Sequence, residues 1–178
     1  MNEDIIRDEE AIARERALQA EEFSYEILNR PIRALPTLKP PITLPLQATL
    51  REAVEKMNRD GVGCVLVVDA GRLVGVFTER DVLTRVATKG LDPDRTRIDT
   101  LMTFDPECLT LDDTTAYALN KMSVGGFRHI PLIDEQGRPT GVVAMRNIVD
   151  YLVDLFPEKV LNLPPSPALG IARAREGA

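Results

Sequence analysis

Apolar positions at Leu50, Ala53, Val54 and Met57 recur at helical spacing and predict a helix over residues 49–58, stopped by Gly61. Residues 64–68 form a continuous apolar run rich in β-branched side chains, which predicts a buried strand. Asp69-Ala70-Gly71-Arg72 has turn chemistry, and residues 73–77 read as a second strand, so the two form a hairpin. Residues 80–88, apolar at Val82, Leu83 and Val86, predict a second helix. The same order then returns: helix 114–123 ended by Gly126, strand 130–133, turn 134–138, strand 140–144 and helix 146–155.

The return is a duplication. Met57 aligns with Met122 at an offset of 65, which also carries Thr43-Leu44-Pro45-Leu46 onto Cys108-Leu109-Thr110-Leu111 and Val65-Leu66-Val67-Val68-Asp69 onto Ile130-Pro131-Leu132-Ile133-Asp134. One extra loop residue raises the offset to 66, which puts Gly75-Val76-Phe77 on Gly141-Val142-Val143 and Asp81-Val82-Leu83 on Asn147-Ile148-Val149. The matching units are residues 43–86 and 108–152. Neither buries enough apolar area to fold robustly alone, so the two are expected to pack together about a pseudo-twofold axis with a cleft between them.

Outside the units the pattern weakens. Residues 4–28 are rich in helix formers, but Ala11, Leu18, Tyr25 and Leu28 make only a thin apolar stripe. That fits a solvated, loosely docked helix, or alternatively a strap for a partner or a dimer. Pro31, Pro36, Pro40, Pro41 and Pro45 predict an extended linker over residues 29–45. Pro157, Pro164, Pro165 and Pro167 predict an extended or disordered tail. The organisation read from sequence is an N-terminal acidic helix and linker at 1–36, a first repeat at 37–90, a connection and second repeat at 91–156, and a tail at 157–178.

Composition adjusts this picture modestly. With no Trp and 4% aromatics in 178 residues, the core must be aliphatic. No apolar run approaches the ~20 residues of a membrane helix. The start, Met1-Asn2-Glu3-Asp4, has neither the basic nor the apolar region of a signal peptide. Cys64 and Cys108 are widely spaced, which fits a reducing cytoplasm better than a disulfide framework. The net charge of −6 argues against a nucleic-acid partner. Residues 1–22 hold eight acids and three bases, −5 of that total, so the repeats are nearly neutral and an anionic ligand is not barred from them.

Leu66-Val67-Val68-Asp69 followed by Gly75-Val76-Phe77-Thr78-Glu79-Arg80-Asp81-Val82, then Arg128-His129-Ile130-Pro131-Leu132-Ile133-Asp134 and Gly141-Val142-Val143, resembles the cystathionine β-synthase (CBS) domain pair, or Bateman module. Leu101-Met102-Thr103 is similar to the usual lead-in to a second repeat. The resemblance covers roughly residues 40–156. It implies an α/β (α+β) fold in which each repeat is a small sheet with two helices, packed sheet to sheet. It implies a regulatory sensor that binds an adenosyl ligand (AMP, ADP, ATP or S-adenosylmethionine) between the repeats, requires no metal, associates as a homodimer and modulates a partner protein. A ligand-independent dimerising scaffold is the alternative. Neither nucleic acid nor membrane is an expected partner.

The residues supply a physical case for such a site. A carboxylate accepts two adjacent ribose hydroxyls with charge-assisted strength, which suits Asp81. The Thr78 hydroxyl and the free N–H groups of the following helix start can face a phosphate, with Arg80 between them. Val76 and Gly75 offer an apolar wall for adenine. Thr78-Glu79-Arg80-Asp81 equally fits a helix start in which Thr78 only caps and Asp81 only answers it; one helix start can serve both. The resemblance adds Met102, Thr103, Phe127 and Arg128 to this site. It places Asn147, Arg146, Ala144, Val142, Thr43 and Val62 around a degenerate second site. There Ala144 lacks a hydroxyl and Asn147 lacks charge, a deficit on the order of 1 kcal/mol for a ribose. Arg128 reads equally as a phosphate contact or a surface charge, Arg146 as a surface charge, and the lone His129 as structural. Asp113 is expected to cap the helix after it. No nucleophile stands beside a base, and no Cys-x-x-Cys, His cluster or Gly-rich phosphate loop is present, so the chain is not expected to be an enzyme.

Overall fold

Thr49 opens the first helix with a reciprocal cap: its Oγ1 accepts from Glu52 N at 3.2 Å, and Thr49 N donates to Glu52 Oε2 at 2.7 Å. The helix, α1, spans Leu50–Asp60 and ends on Gly61 in the left-handed region at φ 61°. The second copy repeats the arrangement. Thr114 accepts from Tyr117 N at 3.2 Å, and the helix Thr115–Gly125 ends on Gly126 at φ 68°. The cap is therefore Thr114, the counterpart of Thr49, and not Asp113. The Asp113 carboxylate turns back to accept from Thr110 N and Oγ1 at 2.7 and 2.9 Å.

These helices belong to a computed structural model that describes residues 28–155 together with Arg14, Glu15 and Tyr25. The rest of the expected N-terminal helix, and the tail, lie outside the described residues. In chain order the elements are β1 (Thr43–Pro45), α1, β2 (Cys64–Asp69), β3 (Arg72–Thr78), α2 (Glu79–Asp81), β4 (Thr103–Phe104), α3 (Thr115–Gly125), β5 (His129–Ile133), β6 (Pro139–Ala144) and α4 (Met145–Leu155). The mixed α+β architecture matches the expectation from sequence. One helix differs: α2 passes at once into a π-helical turn, Val82–Val86, in which Ala87 N donates to Val82 O. Thr84 donates its hydroxyl to the Arg80 carbonyl at 2.8 Å within this turn. Leu83 is consequently 71% exposed and not part of an apolar face.

The first sheet has the order β1-β2-β3-β4, with β1 parallel to β2 and the other pairs antiparallel. β5 and β6 form the second hairpin, and Leu109 bridges parallel to Leu132 as Leu44 does to Val67. Val65 and Val67 point into one cluster with Ala53, Met57 and Phe77. Cys64 and Leu66, on the opposite face, meet Val76 and, from the second copy, Val142. Burial on both faces is why this strand reads as a continuous apolar run.

The proline-rich stretch is more than a linker. Ile32–Ala34 forms a 3-10 turn, and Ile32 is 0% exposed inside the core of the second copy, among Leu109, Ala118, Met122, Ile130 and Ile148. Ile32 N and Arg33 N donate to Asp113 O and Leu111 O at 2.8 and 2.9 Å. Its counterpart is the 3-10 turn Ile98–Thr100, whose Ile98 is buried in the core of the first copy with Leu101 and Met102. Each copy is thus completed by the segment that leads into the other.

Candidate functional site

Two clefts open between the copies. The first, about 660 Å³, is lined by Val76, Thr78, Arg80, Asp81, Thr103, Phe127 and Arg128, all expected from sequence. The second, about 910 Å³, is lined by Val62, Val142, Ala144, Arg146 and Asn147, likewise expected. Gly63, Glu79, Arg128 and His129 line both. Three expected residues do not reach a cleft. Gly75 and Met102 stand behind the wall, where a Cβ on Gly75 would overlap the Met102 sulfur. Thr43 lies in β1, and its neighbour Ile42 lines the second cleft instead.

Thr78 and Asp81 meet at the start of α2, which β3 delivers to the cleft edge. Thr78 N and Oγ1 donate to Asp81 Oδ2 at 2.9 and 2.7 Å, and Asp81 N donates to Thr78 Oγ1 at 3.3 Å. The helix cap is therefore realised. Asp81 is only 6% exposed, and its other oxygen, Oδ1, faces Arg85 Nε at 3.2 Å. Arg85 also donates to the Leu101 and Met102 carbonyls at 2.5 and 2.7 Å, tying the carboxylate to the lead-in of the second copy. Sequence reasoning missed Arg85, whose signal was an i,i+4 spacing from Asp81. Arg80 reaches across to the Gly126 carbonyl at 2.6 Å, bracing the first copy against the C-cap of α3.

In the second cleft Asn147 repeats half of this cap. Its Oδ1 accepts from Ala144 N at 2.7 Å, while its Nδ2 donates to Thr37 O and Oγ1 at 3.1 and 2.9 Å. Thr37 is the counterpart of Thr103 at the offset of 66, and that alignment would have found it. Arg146 pairs with Asp150 at 3.5 Å on the surface.

His129 lies half-buried over Gly63, where an added Cβ would sit 2.9 Å from the ring. Burial pulls its pKa below 6.5; Glu79 opposes this, and Arg128 and Arg80 reinforce it. The folded protein then binds fewer protons at this ring than the unfolded chain, so stability falls as pH drops below 6.5. Urea midpoints taken from about pH 8 down to about pH 5 should fall less steeply for His129→Gln than for the wild type. Parallel curves would remove His129 as the cause. Burial pushes the Cys64 thiol up to about 12, so it is no thiolate nucleophile. Among the described residues, no three His, Cys, Asp or Glu side chains converge to hold a metal, and no helix is long and apolar enough to cross a membrane.

The CBS domain profile matches residues 30–88 and 98–154, so this chain belongs to the CBS domain family. The chain is similar to the meiotically up-regulated gene 70 protein of Schizosaccharomyces pombe, with 38% identity over 105 residues. That match covers 59% of this chain but only 14% of the relative's length. A CBS domain protein from Pyrobaculum aerophilum, solved in complex with AMP, aligns with TM-score 0.61 and 27% identity over 70% of this chain and 99% of that one. The CBS domain pair of protein MJ0100, solved with 5′-methylthioadenosine and S-adenosyl-L-methionine, aligns with TM-score 0.62 and 23% identity over 69% and 99% of the two chains, a likeness of fold.

Proposed function

We propose that this chain is a regulatory module that binds an adenosyl ligand in the first cleft. The observation that carries the reading is the pairing of Thr78 with the buried Asp81 at the edge of a cleft walled by Val76 and Thr103. A ribose diol can use the Asp81 carboxylate by taking over Oδ1, now held by the half-exposed Arg85. Thr78 and Arg80 stand beside it for a phosphate, and Val76 and Phe127 for adenine. The AMP held by the Pyrobaculum protein and the adenosyl ligands held by MJ0100 support the ligand class. Ligand binding then biases the packing of the two copies, and the module, as a cytoplasmic homodimer, passes that change to a partner protein without catalysis.

Calorimetry with adenosine, AMP, ADP, ATP and S-adenosylmethionine tests this. At least one is expected to bind at micromolar concentration and to raise the melting temperature, since a ligand at a hundred times its Kd stabilises the folded state by about 2.7 kcal/mol. The second reading, a ligand-independent scaffold, draws support from the cap of α2, which Thr78 and Asp81 complete between themselves. It requires that none of the five binds below millimolar and that melting stays unchanged.

A further inference from the structure

The second cleft differs from the first in ways that go beyond a lost ribose contact. Its ribose position is poorly equipped: Ala144 offers no hydroxyl, and the neutral Asn147 amide is already engaged at both ends, by Ala144 N and by Thr37. Its charge is reversed as well. The first cleft places four carboxylates (Glu79, Asp81, Asp105, Glu107) among three guanidinium groups, whereas the second places Lys39, Arg128 and Arg146 against two carboxylates, Glu79 and Asp150. Lys39 and Arg128 have no ion-pair partner among the described residues. Arg146 has only its exposed pair with Asp150, an interaction weak enough to be exchanged for a stronger anion. Guanidinium and ammonium groups around one concavity suit a phosphate, which offers several acceptor oxygens and more than one charge.

We infer that the second cleft binds a phosphorylated small molecule through its phosphate and without reading a ribose, using Lys39, Arg128 and Arg146. The wall between the clefts is shared, but Lys39 and Arg146 line only the second. They are therefore the residues to change, and both are exposed, so removing them leaves the core intact.

The test is calorimetry of the full chain with inorganic pyrophosphate, which carries the charge and no nucleoside. Wild type is expected to bind it, with affinity that falls as salt rises. Lys39→Ala/Arg146→Ala is expected to weaken it at least about tenfold, because two charge-assisted hydrogen-bond donors are removed. Saturating adenosine is expected to leave it unchanged. Absence of pyrophosphate binding up to millimolar, or binding indifferent to the double substitution, overturns the inference. Loss of pyrophosphate binding in Arg80→Ala, whose guanidinium lines only the first cleft, or competition by adenosine, also overturns it by placing the phosphate in the first cleft. Adenosine binding by Asp81→Asn is read separately, so failure of the adenosyl reading and failure of this one are distinguishable.

Discussion

Asp81→Asn should weaken adenosine binding about thirtyfold, some 2 kcal/mol, while leaving the fold standing. The substitution already exists in the chain, since Asn147 occupies the matching position and its Oδ1 still accepts from Ala144 N at 2.7 Å. An asparagine at 81 can accept from Thr78 N in the same way, so the helix start is kept and only the charge is removed. Two ribose hydroxyls would then meet one neutral acceptor in place of a carboxylate, and each loses roughly the ~1 kcal/mol that separates charge-assisted from neutral hydrogen bonds. The ion pair with Arg85 is lost too, but Arg85 is 40% exposed and stays solvated, so the stability cost is on the order of 1 kcal/mol. Calorimetry with adenosine beside a urea melt separates the two effects. Unchanged affinity would take the ribose contact away from Asp81, and equal losses in both measurements would make the residue a cap alone.

Ile32→Ala should destabilise the protein by about 2–5 kcal/mol, a large share of the stability of a domain of this size. The side chain is 0% exposed among Leu109, Ala118, Met122, Ile130 and Ile148, so its removal leaves a cavity in a core with little freedom to collapse. Ile98→Ala, its counterpart in the other core, should cost a similar amount. Urea unfolding of both variants checks this. A loss below about 1 kcal/mol for Ile32→Ala would mean that the stretch behaves as the linker its prolines suggest.

The two substitutions mark where sequence was and was not sufficient. The hairpins and most helices were legible because their apolar periodicity occurs twice, and a pattern found twice at a constant offset is hard to misplace. The exchanged lead-ins were not legible. Ile32, Leu35 and Thr37 align with Ile98, Leu101 and Thr103, but prolines fill the first segment and polar residues the second, so local composition hides the match. The π-helical turn Val82–Val86 was not legible either, because Val82, Leu83 and Val86 fit the spacing of an ordinary α-helix equally well. In the candidate site, Thr78, Asp81, Val76 and Arg80 were legible because they share one β3–α2 junction. Thr37 and Lys39 were not, because their approach to α4 follows from the same hidden exchange. Gly75 and Met102 sit next to residues that line the cleft, yet the Met102 side chain packs against the Gly75 backbone behind its wall.

The exchange also has a consequence for synthesis. A chain leaving the ribosome presents Ile32 first, but the strands and helices that bury it, up to Tyr151, emerge last. The first copy, although made early, lacks Ile98, Leu101 and Met102 until the second begins. Local pairing can start early, but neither core can close until most of the chain has been translated, so long-range contacts set the pace. The oldest core residue waits for the youngest, and the two copies mature as one.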